Sequence, residues 1–398
     1  MISLGAGHGR QILHDHNPIH KTMSSNDDEL ADNQPDVSGD DSFDDSDLSD
    51  SSDDEEGFHF DEDDTGDIEQ KKEVPKDIDF KYMVVGICCH PKKDLVAVGT
   101  ISGPVDLYSF SRESTNKEIL SYVHHKHSCR AVKFSESGEH LFTASKDTTI
   151  CVVDMESNSV YRKFSRVSGL PIYSLLPIDN YLLAAGEDEG QVVLWDFRMQ
   201  NPIQVFEDCE DFISSMAMKK EKRVVLAASG DGRIVSYNLR AMKMDKQSEY
   251  LDVELLSLGI FKDGSKVAVG GGDGAINIFN FGEFGNISDR FPGHPGSVDS
   301  MAVLSDDVLC TGCEDGKIRV VQLFPNRFLG VLGGHKGFAV EGLSLSHDSS
   351  LLASCSYDQK VKFWDLSSVN ELKEQDVKET KKKHQQVNKQ VNSFFDDL

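Results

Sequence analysis

The chain has 398 residues, of which 68 are Asp or Glu and 41 are Lys or Arg, giving a formal net charge of −27 at pH 7. This acidic balance disfavours a function that depends on general attraction to nucleic-acid phosphates. No apolar run approaches the roughly 20 residues of a membrane helix, so no membrane segment is expected. The eight cysteines are scattered and no signal peptide is recognisable, which predicts a reducing compartment and free thiols.

Residues 1–75 are predicted to form a disordered leader. Residues 26–69 contain 21 Asp or Glu and no Lys or Arg. Such a segment cannot bury enough apolar surface to offset the entropy of ordering. Two roles remain open for this acidic tract: a solubilising spacer, or a docking tail for basic partners such as ribosomal proteins, histones or assembly factors.

Residues 76–367 repeat one short pattern seven times. Each copy has an apolar run, a turn with an acidic or small residue, and a short alternating run. The next-to-last positions of these copies are Tyr108, Val153, Trp195, Tyr237, Phe279, Val321 and Trp364. They recur every 42 to 45 residues. Alternating runs and Asp-Gly turns indicate strands and hairpins, and four strands in about 40–45 residues form a propeller blade. The predicted fold is all-β, a seven-bladed propeller.

The seventh copy lacks a fourth strand, because its third strand ends at Asp365 and a charged tail follows. Ahead of the first copy, residues 75–81 carry Ile78 and Phe80 on one face. A closed ring avoids unpaired strand edges. We therefore expect residues 75–81 to supply the missing outer strand of the last blade.

The Trp-Asp endings at Trp195 and Trp364, with the Gly-His pairs ending at His294 and His335, resemble WD repeats. This resemblance implies a hydrogen-bonded tetrad of His, Ser or Thr, Asp and Trp in each blade. The matching positions are His335, Ser354, Asp358 and Trp364 in the seventh copy, His294, Thr311 and Asp315 in the sixth, and His124, Thr143 and Asp147 in the second. His124 is chosen because it lies 23 residues before Asp147, the separation of His335 from Asp358. Because these residues recur with the repeat, they are interpreted as structural and not catalytic.

The chain as a whole resembles the nucleolar WD-repeat protein 55 family. The acidic leader, residues 86–91 and residues 190–198 carry this resemblance. It implies a non-catalytic scaffold of ribosomal RNA processing and ribosome biogenesis, located in the nucleus and nucleolus, with the cytoplasm a further possible location. The expected partners are ribosome assembly factors or ribosomal proteins, with the protein itself monomeric inside larger complexes. No cofactor, metal or catalytic site is expected. Since residues 76–367 carry 31 basic against 39 acidic residues, protein contacts are favoured and direct RNA contact is left open.

A second function is suggested by residues 195–198, Trp-Asp-Phe-Arg, which resemble the W-D-x-R motif of substrate receptors of cullin-RING ubiquitin ligases. Residues 237–240 partly repeat it. The resemblance implies that Arg198 and Arg240 face the ligase adaptor. The alternative is that both arginines simply begin the loop after a strand.

Three further residues are candidates for partner binding because they lie in loops on the narrow face of the ring: His127, Phe212 and Phe338. An exposed aromatic ring there can anchor a peptide, and packing against the neighbouring blade is the alternative. Residues 368–398 are predicted to be a disordered tail rich in Lys, Glu and Gln. Its Lys381-Lys382-Lys383 cluster is either a nuclear-import signal or an exposed charged run.

Overall fold

The computed structural model describes residues 66–165, 169–369 and 371. Most of the acidic tract and the Lys381-Lys382-Lys383 cluster lie outside the described residues. In the described part of the chain, 28 strands form seven four-stranded antiparallel sheets, and each sheet is one blade. The all-β propeller predicted from the repeat is confirmed.

The strands follow the repeat in order. The short first strand is β1 (Ile78–Asp79). Blade 1 contains β2 (Val84–Cys89), β3 (Leu95–Thr100), β4 (Val105–Ser109) and β5 (Lys117–Tyr122). Blade 2 contains β6 (Ala131–Phe134), β7 (His140–Ala144), β8 (Thr149–Asp154) and β9 (Ser159–Ser165). Blade 3 contains β10 (Ile172–Pro177), β11 (Leu182–Glu187), β12 (Val192–Asp196) and β13 (Gln204–Phe206).

Blade 4 contains β14 (Ile213–Lys219), β15 (Val224–Ser229), β16 (Ile234–Asn238) and β17 (Lys243–Gln247). Blade 5 contains β18 (Leu255–Phe261), β19 (Lys266–Gly271), β20 (Ile276–Asn280) and β21 (Asp289–Phe291). Blade 6 contains β22 (Val298–Val303), β23 (Val308–Cys313), β24 (Lys317–Gln322) and β25 (Arg327–Gly334). Blade 7 contains β26 (Val340–Leu345), β27 (Leu351–Ser356) and β28 (Lys360–Asp365), together with β1.

The ring is closed by β1, which pairs antiparallel with β28. Ile78 lies opposite Val361 and Asp79 lies opposite Lys360. The Phe80 N–H extends the pairing by donating to the carbonyl of Gln359 at 2.8 Å. The expected closure by residues 75–81 is therefore confirmed. It joins the first and last strands of the propeller in one sheet and leaves blade 7 no open outer edge on β28.

Residues 66–74, which the sequence analysis assigned to the leader, lie against blades 6 and 7. We call this segment the strap. The Ile68 N–H donates to the carbonyl of Val331 at 2.8 Å, and the side chain of Ile68 is buried in a cluster that includes Leu332 and Val369. The side-chain oxygen of Gln70 accepts a hydrogen bond from the N–H of Asp365 at 2.7 Å. The packed part of the chain thus begins before β1 and continues past β28.

The core lies between neighbouring blades. All six residues of β15 and all six of β27 are buried, because each blade has another blade on both of its faces. Trp195 shows how the interfaces are filled: its ring centroid lies 5.1 Å from that of Phe164 in blade 2. Within the described ranges, no helix has the length and apolar content needed to cross a bilayer.

Candidate interaction site

The loops of each blade emerge on two opposite faces of the ring. On one face lie the turns between the second and third strands, with Asp147, Asp231, Asp273, Asp315 and Asp358, and also the loops that join successive blades. We call this the turn-aspartate face. On the opposite face lie the loops that follow the third strands, including residues 197–203.

Blade 7 contains the complete tetrad. The indole Nε1–H of Trp364 donates to Ser354 Oγ at 2.9 Å. Ser354 Oγ lies 2.7 Å from Nε2 of His335, and His335 Nδ1 lies 2.9 Å from the Asp358 carboxylate. A carboxylate only accepts, so the proton of His335 is on Nδ1 and Nε2 accepts from Ser354. Each donor in this series of hydrogen bonds thus has an acceptor, and together the bonds connect the inter-blade loop to the turn.

Blade 2 corrects the assignment of His124, because the ring that meets Asp147 is His125. His125 Nδ1 lies 3.3 Å from the Asp147 carboxylate, and its Nε2 lies 2.9 Å from Thr143 Oγ1. His124 Nε2 approaches the same hydroxyl at 2.8 Å. His124 therefore supplies the donor that an indole supplies in blade 7, where blade 2 has Val153. Spacing alone selected the wrong one of two adjacent histidines.

Blade 6 departs from the tetrad in another way. His294 Nε2 lies 3.0 Å from Thr311 Oγ1, as expected. However, His294 Nδ1 lies 3.1 Å from the carbonyl of Gly274 and does not meet Asp315. The Asp315 carboxylate is held instead by the guanidinium of Arg319, at 2.7 and 3.1 Å. The Arg319–Asp315 ion pair thus takes the place of the expected His294–Asp315 bond. The buried imidazole of His294 can then remain neutral.

Arginine takes the place of histidine at the turn aspartates of blades 4 and 5 as well. Arg233 donates to Asp231 at 2.9 Å and stacks on the ring of Tyr250, 4.3 Å from its centroid. Arg290 donates to Asp273 at 2.5 Å. These arginines were not predicted from the sequence, because they follow the turn aspartate at different separations. The detectable signal was an arginine after the turn aspartate in copies 4, 5 and 6.

Blade 3 keeps the tryptophan but lacks its acceptor. Ala185 pairs with Val193 two positions before Trp195, just as Ser354 pairs with Lys362 two positions before Trp364. The indole N–H of Trp195 consequently finds no hydrogen-bond acceptor among the described residues. An unpaired buried donor costs about 1–3 kcal/mol.

One cluster brings potential metal-binding atoms together: those of His124, His125 and Cys151 lie within 4.8 Å of one another. Burial raises the pKa of the Cys151 thiol to about 12, so it stays protonated at neutral pH. Metal binding requires the thiolate. Both nitrogens of His125 are also engaged by Asp147 and Thr143. The donor set therefore suits a hydrogen-bonded core better than a metal centre.

The three candidate aromatic residues are all on the turn-aspartate face. His127 is exposed, and 48% of the Phe338 surface is accessible. Phe212 is half-buried, with its ring centroid 5.3 Å from that of Tyr173 in blade 3. Phe212 thus packs against a neighbouring blade and also lines the central channel. Phe338 is thus a more exposed aromatic anchor than Phe212.

The two arginines of the W-D-x-R-like segments lie on the opposite face but differ in how they are held. Arg198 donates to the Asp196 carboxylate through Nε at 2.9 Å and lies 4.1 Å from the ring centroid of Tyr181, while 56% of its side chain stays exposed. In the next blade, Asn238 stands where Asp196 stands and accepts from the backbone N–H groups of Arg240 and Ala241, at 2.9 and 3.1 Å. Only Arg198 is preorganised.

Seven blades in a closed ring, with a WD-type tetrad in blade 7, define a WD-repeat propeller. Such a protein presents surfaces to other proteins. A family model described as WDR55 matches residues 75–369. The chain therefore belongs to the WDR55 family. The matched region begins with the segment that closes the ring and ends in the short helical turn after β28.

Relatives with known names agree with this assignment. The chain is 41% identical over 299 residues to WD repeat-containing protein 55 of Homo sapiens, covering 75% of this chain and 78% of the human protein. It is 39% identical over 299 residues to the Mus musculus protein of the same name, covering 75% and 77%. It is 36% identical over 299 residues to the WD repeat-containing protein 55 homolog of Drosophila persimilis, covering 75% of this chain and 59% of the fly protein.

Proposed function

We propose that this protein is a non-catalytic scaffold of ribosomal RNA processing and ribosome biogenesis, located in the nucleus and nucleolus. The observation that carries the proposal is the family match across the closing strand and all seven blades, residues 75–369. The nucleolar role is the one implied by the resemblance to the WD-repeat protein 55 family. The ring supports a binding role because it offers two broad faces of loops, with exposed aromatic groups such as Phe338 on one of them.

The acidic composition supports protein partners over bare RNA. Residues 76–367 contain 39 acidic and 31 basic residues, and residues 26–69 add 21 acidic residues with no basic ones. Phosphates are repelled by such a field, whereas ribosomal proteins and assembly factors rich in Lys and Arg are attracted. The acidic tract would then raise the rate of encounter and the ring would supply the specific contact.

The direct test is affinity purification of the full chain from nuclei with quantification of both proteins and RNAs. We expect enrichment of ribosome assembly factors and of ribosomal RNA precursors. Depletion of the protein should cause precursors to accumulate relative to mature ribosomal RNA. A chain lacking residues 26–65 is the matched control for the acidic tract, since it keeps every described contact of the ring. Normal precursor ratios after depletion would contradict the proposal.

A second function, substrate receptor of a cullin-RING ubiquitin ligase, is favoured by the geometry of Arg198. Its guanidinium is fixed by Asp196 and Tyr181 and more than half exposed. Beside it on the opposite face, 54% of Met199 is accessible, which adds an apolar contact. A fixed, exposed arginine next to an apolar side chain is typical of an interface anchor.

This second function is tested by pull-down of the ligase adaptor with the wild-type chain and with the double variant Arg198→Ala, Arg240→Ala. Capture by the wild type and loss in the double variant would support it. Because Asp196 fixes only Arg198, the single change Arg198→Ala should remove most of the binding and Arg240→Ala should remove little. If neither protein captures the adaptor, the ligase function is refuted.

A further inference from the structure

The inner strands of the seven blades surround a cavity of about 480 Å³ that opens on the turn-aspartate face. This volume is within the range of sites that bind small ligands or single side chains, about 300–1,000 Å³. The residues at its mouth come from the first positions of the inner strands and from the turn of blade 7. They divide into two walls of different chemistry.

The first wall is aromatic and spans blades 2 to 4. The guanidinium of Arg130 lies 5.2 Å from the ring centroid of Tyr173. The ring of Tyr173 in turn lies 5.3 Å from that of Phe212, with the planes tilted by 35°. All three residues line the cavity. The stacking fixes these side chains and presents flat, polarizable surfaces to the channel.

The second wall is acidic and is formed by blades 6 and 7. Asp299 accepts a hydrogen bond from Ser297 Oγ at 2.7 Å. Burial raises the pKa of the Tyr357 hydroxyl to about 12, and the negative charge of Glu341 contributes to this rise. The pKa of Asp299 is raised to about 6, mainly by burial and in smaller part by the negative charge of Glu341. Burial also raises the pKa of Glu341.

Neither carboxylate forms an ion pair within the described residues, and Asp299 has no cation acting on it. No lysine or arginine of the described residues forms an ion pair with Asp299, and the neighbouring charges that act on it, from Glu341, Glu314 and Asp315, are all negative. The charge of Arg130 reaches Glu341 but forms no ion pair with it in the described chain. Half-buried carboxylates that face an open cavity are stabilised when a cation enters it.

We propose that the channel mouth is a binding site for a basic side chain, preferentially arginine, carried by a peptide of a partner protein. The side chain enters along the channel axis and pairs with Asp299 and Glu341. Arginine is preferred because its planar guanidinium can bond carboxylates with several N–H groups at once and can stack on aromatic rings such as Phe212 and Tyr357. The proposal does not depend on the nucleolar role, because any arginine-bearing partner satisfies it.

The test uses the full chain and three labelled heptapeptides that differ only at the central residue, which is arginine, lysine or citrulline. Citrulline keeps the shape of arginine and removes its charge. Binding is followed by fluorescence anisotropy. We expect the arginine peptide to bind about tenfold more tightly than the citrulline peptide, with lysine between them. Equal affinities of the arginine and citrulline peptides would overturn the proposal.

Variants locate the binding at the mouth. Asp299→Asn and Glu341→Gln should each weaken arginine-peptide binding several-fold, and the double variant should bind arginine and citrulline peptides equally. Asp252→Asn is the matched control, since Asp252 is an exposed carboxylate in an inter-blade loop of the same face. An equal loss in Asp252→Asn would mean that general charge explains the effect, and the proposal would be wrong.

Two further measurements test whether Asp299 acts in binding and not in folding, and whether a segment of the chain itself occupies the site. Removing a carboxylate that is disfavoured by burial should leave the melting temperature of Asp299→Asn equal to or above that of the wild type. A fall in melting temperature that matches the loss of binding would assign Asp299 a structural role and overturn the proposal. Binding that appears only after residues 372–398 are removed would assign the mouth to the Lys381-Lys382-Lys383 segment of the chain itself, which also overturns it.

Discussion

The closure of the ring by β1 can be tested with one substitution, Ile78→Ala. Ile78 is 5% exposed and lies in the cluster that contains Phe110, Val361 and Phe363. The change removes three buried carbons at about 0.8 kcal/mol each, or about 2.4 kcal/mol. A residual cavity adds to this, so we expect a loss of about 3 kcal/mol. For a ring of this size, the melting temperature should fall by roughly 5 °C.

The assay is thermal and urea unfolding followed by circular dichroism. Ile119→Ala is the matched control, because Ile119 lies on the outer strand of blade 1 and is 43% exposed. It should change the free energy of unfolding by less than about 0.5 kcal/mol. Deleting residues 1–65 should have little effect, whereas deleting residues 1–81 removes both the strap and β1 and should destabilise the ring most. Equal melting temperatures for the two deletions, or for the two isoleucine variants, would refute the closure.

Three other predictions concern buried hydrogen-bonding groups. Asp358→Ala leaves Nδ1–H of His335 without its acceptor, and the free energy of unfolding in urea should fall by about 1–3 kcal/mol; no change would exclude the tetrad as a stabilising unit. Ala185→Ser places a hydroxyl beside the unpaired indole N–H of Trp195 and should raise the melting temperature, whereas a lower one would contradict the assignment. Burial lowers the pKa of His294 to about 4, so protonation of this side chain favours the unfolded chain. The free energy of unfolding should therefore be highest above about pH 7 and about 2 kcal/mol lower at about pH 5, with a shallower pH dependence in His294→Gln. An equal slope in this variant would assign the pH dependence to other groups.

The repeat was sufficient to predict the architecture. Alternating apolar residues predict strands from neighbours along the chain alone. The 42-to-45-residue interval then assigns one blade to each copy of the repeat. The absence of a fourth strand after Asp365 and the apolar face of residues 75–81 together predicted the closure that pairs Ile78 with Val361. The tetrad of blade 7 was predicted because each of its four residues matched the WD pattern at the expected separation.

Sequence separation failed where two candidates compete for one position. His124 and His125 are adjacent, and only the path of the inter-blade loop decides which ring reaches Asp147. The arginines that hold Asp231 and Asp315 were missed for the same reason. Their flexible side chains reach the turn from different strand positions, so no fixed spacing identifies them.

By itself, the sequence determined an all-β ring of seven blades, the strand that closes it and the acidic character of the chain, because periodicity and composition are local properties. The tertiary structure decided which side chains meet at the centre. Asp299 and Glu341 are 42 residues apart in separate copies of the repeat, yet the ring places both at the mouth of one cavity, facing Tyr173 and Phe212 from other blades. That convergence depends on the circular arrangement of the inner strands, which brings equivalent positions of all repeats to a single axis.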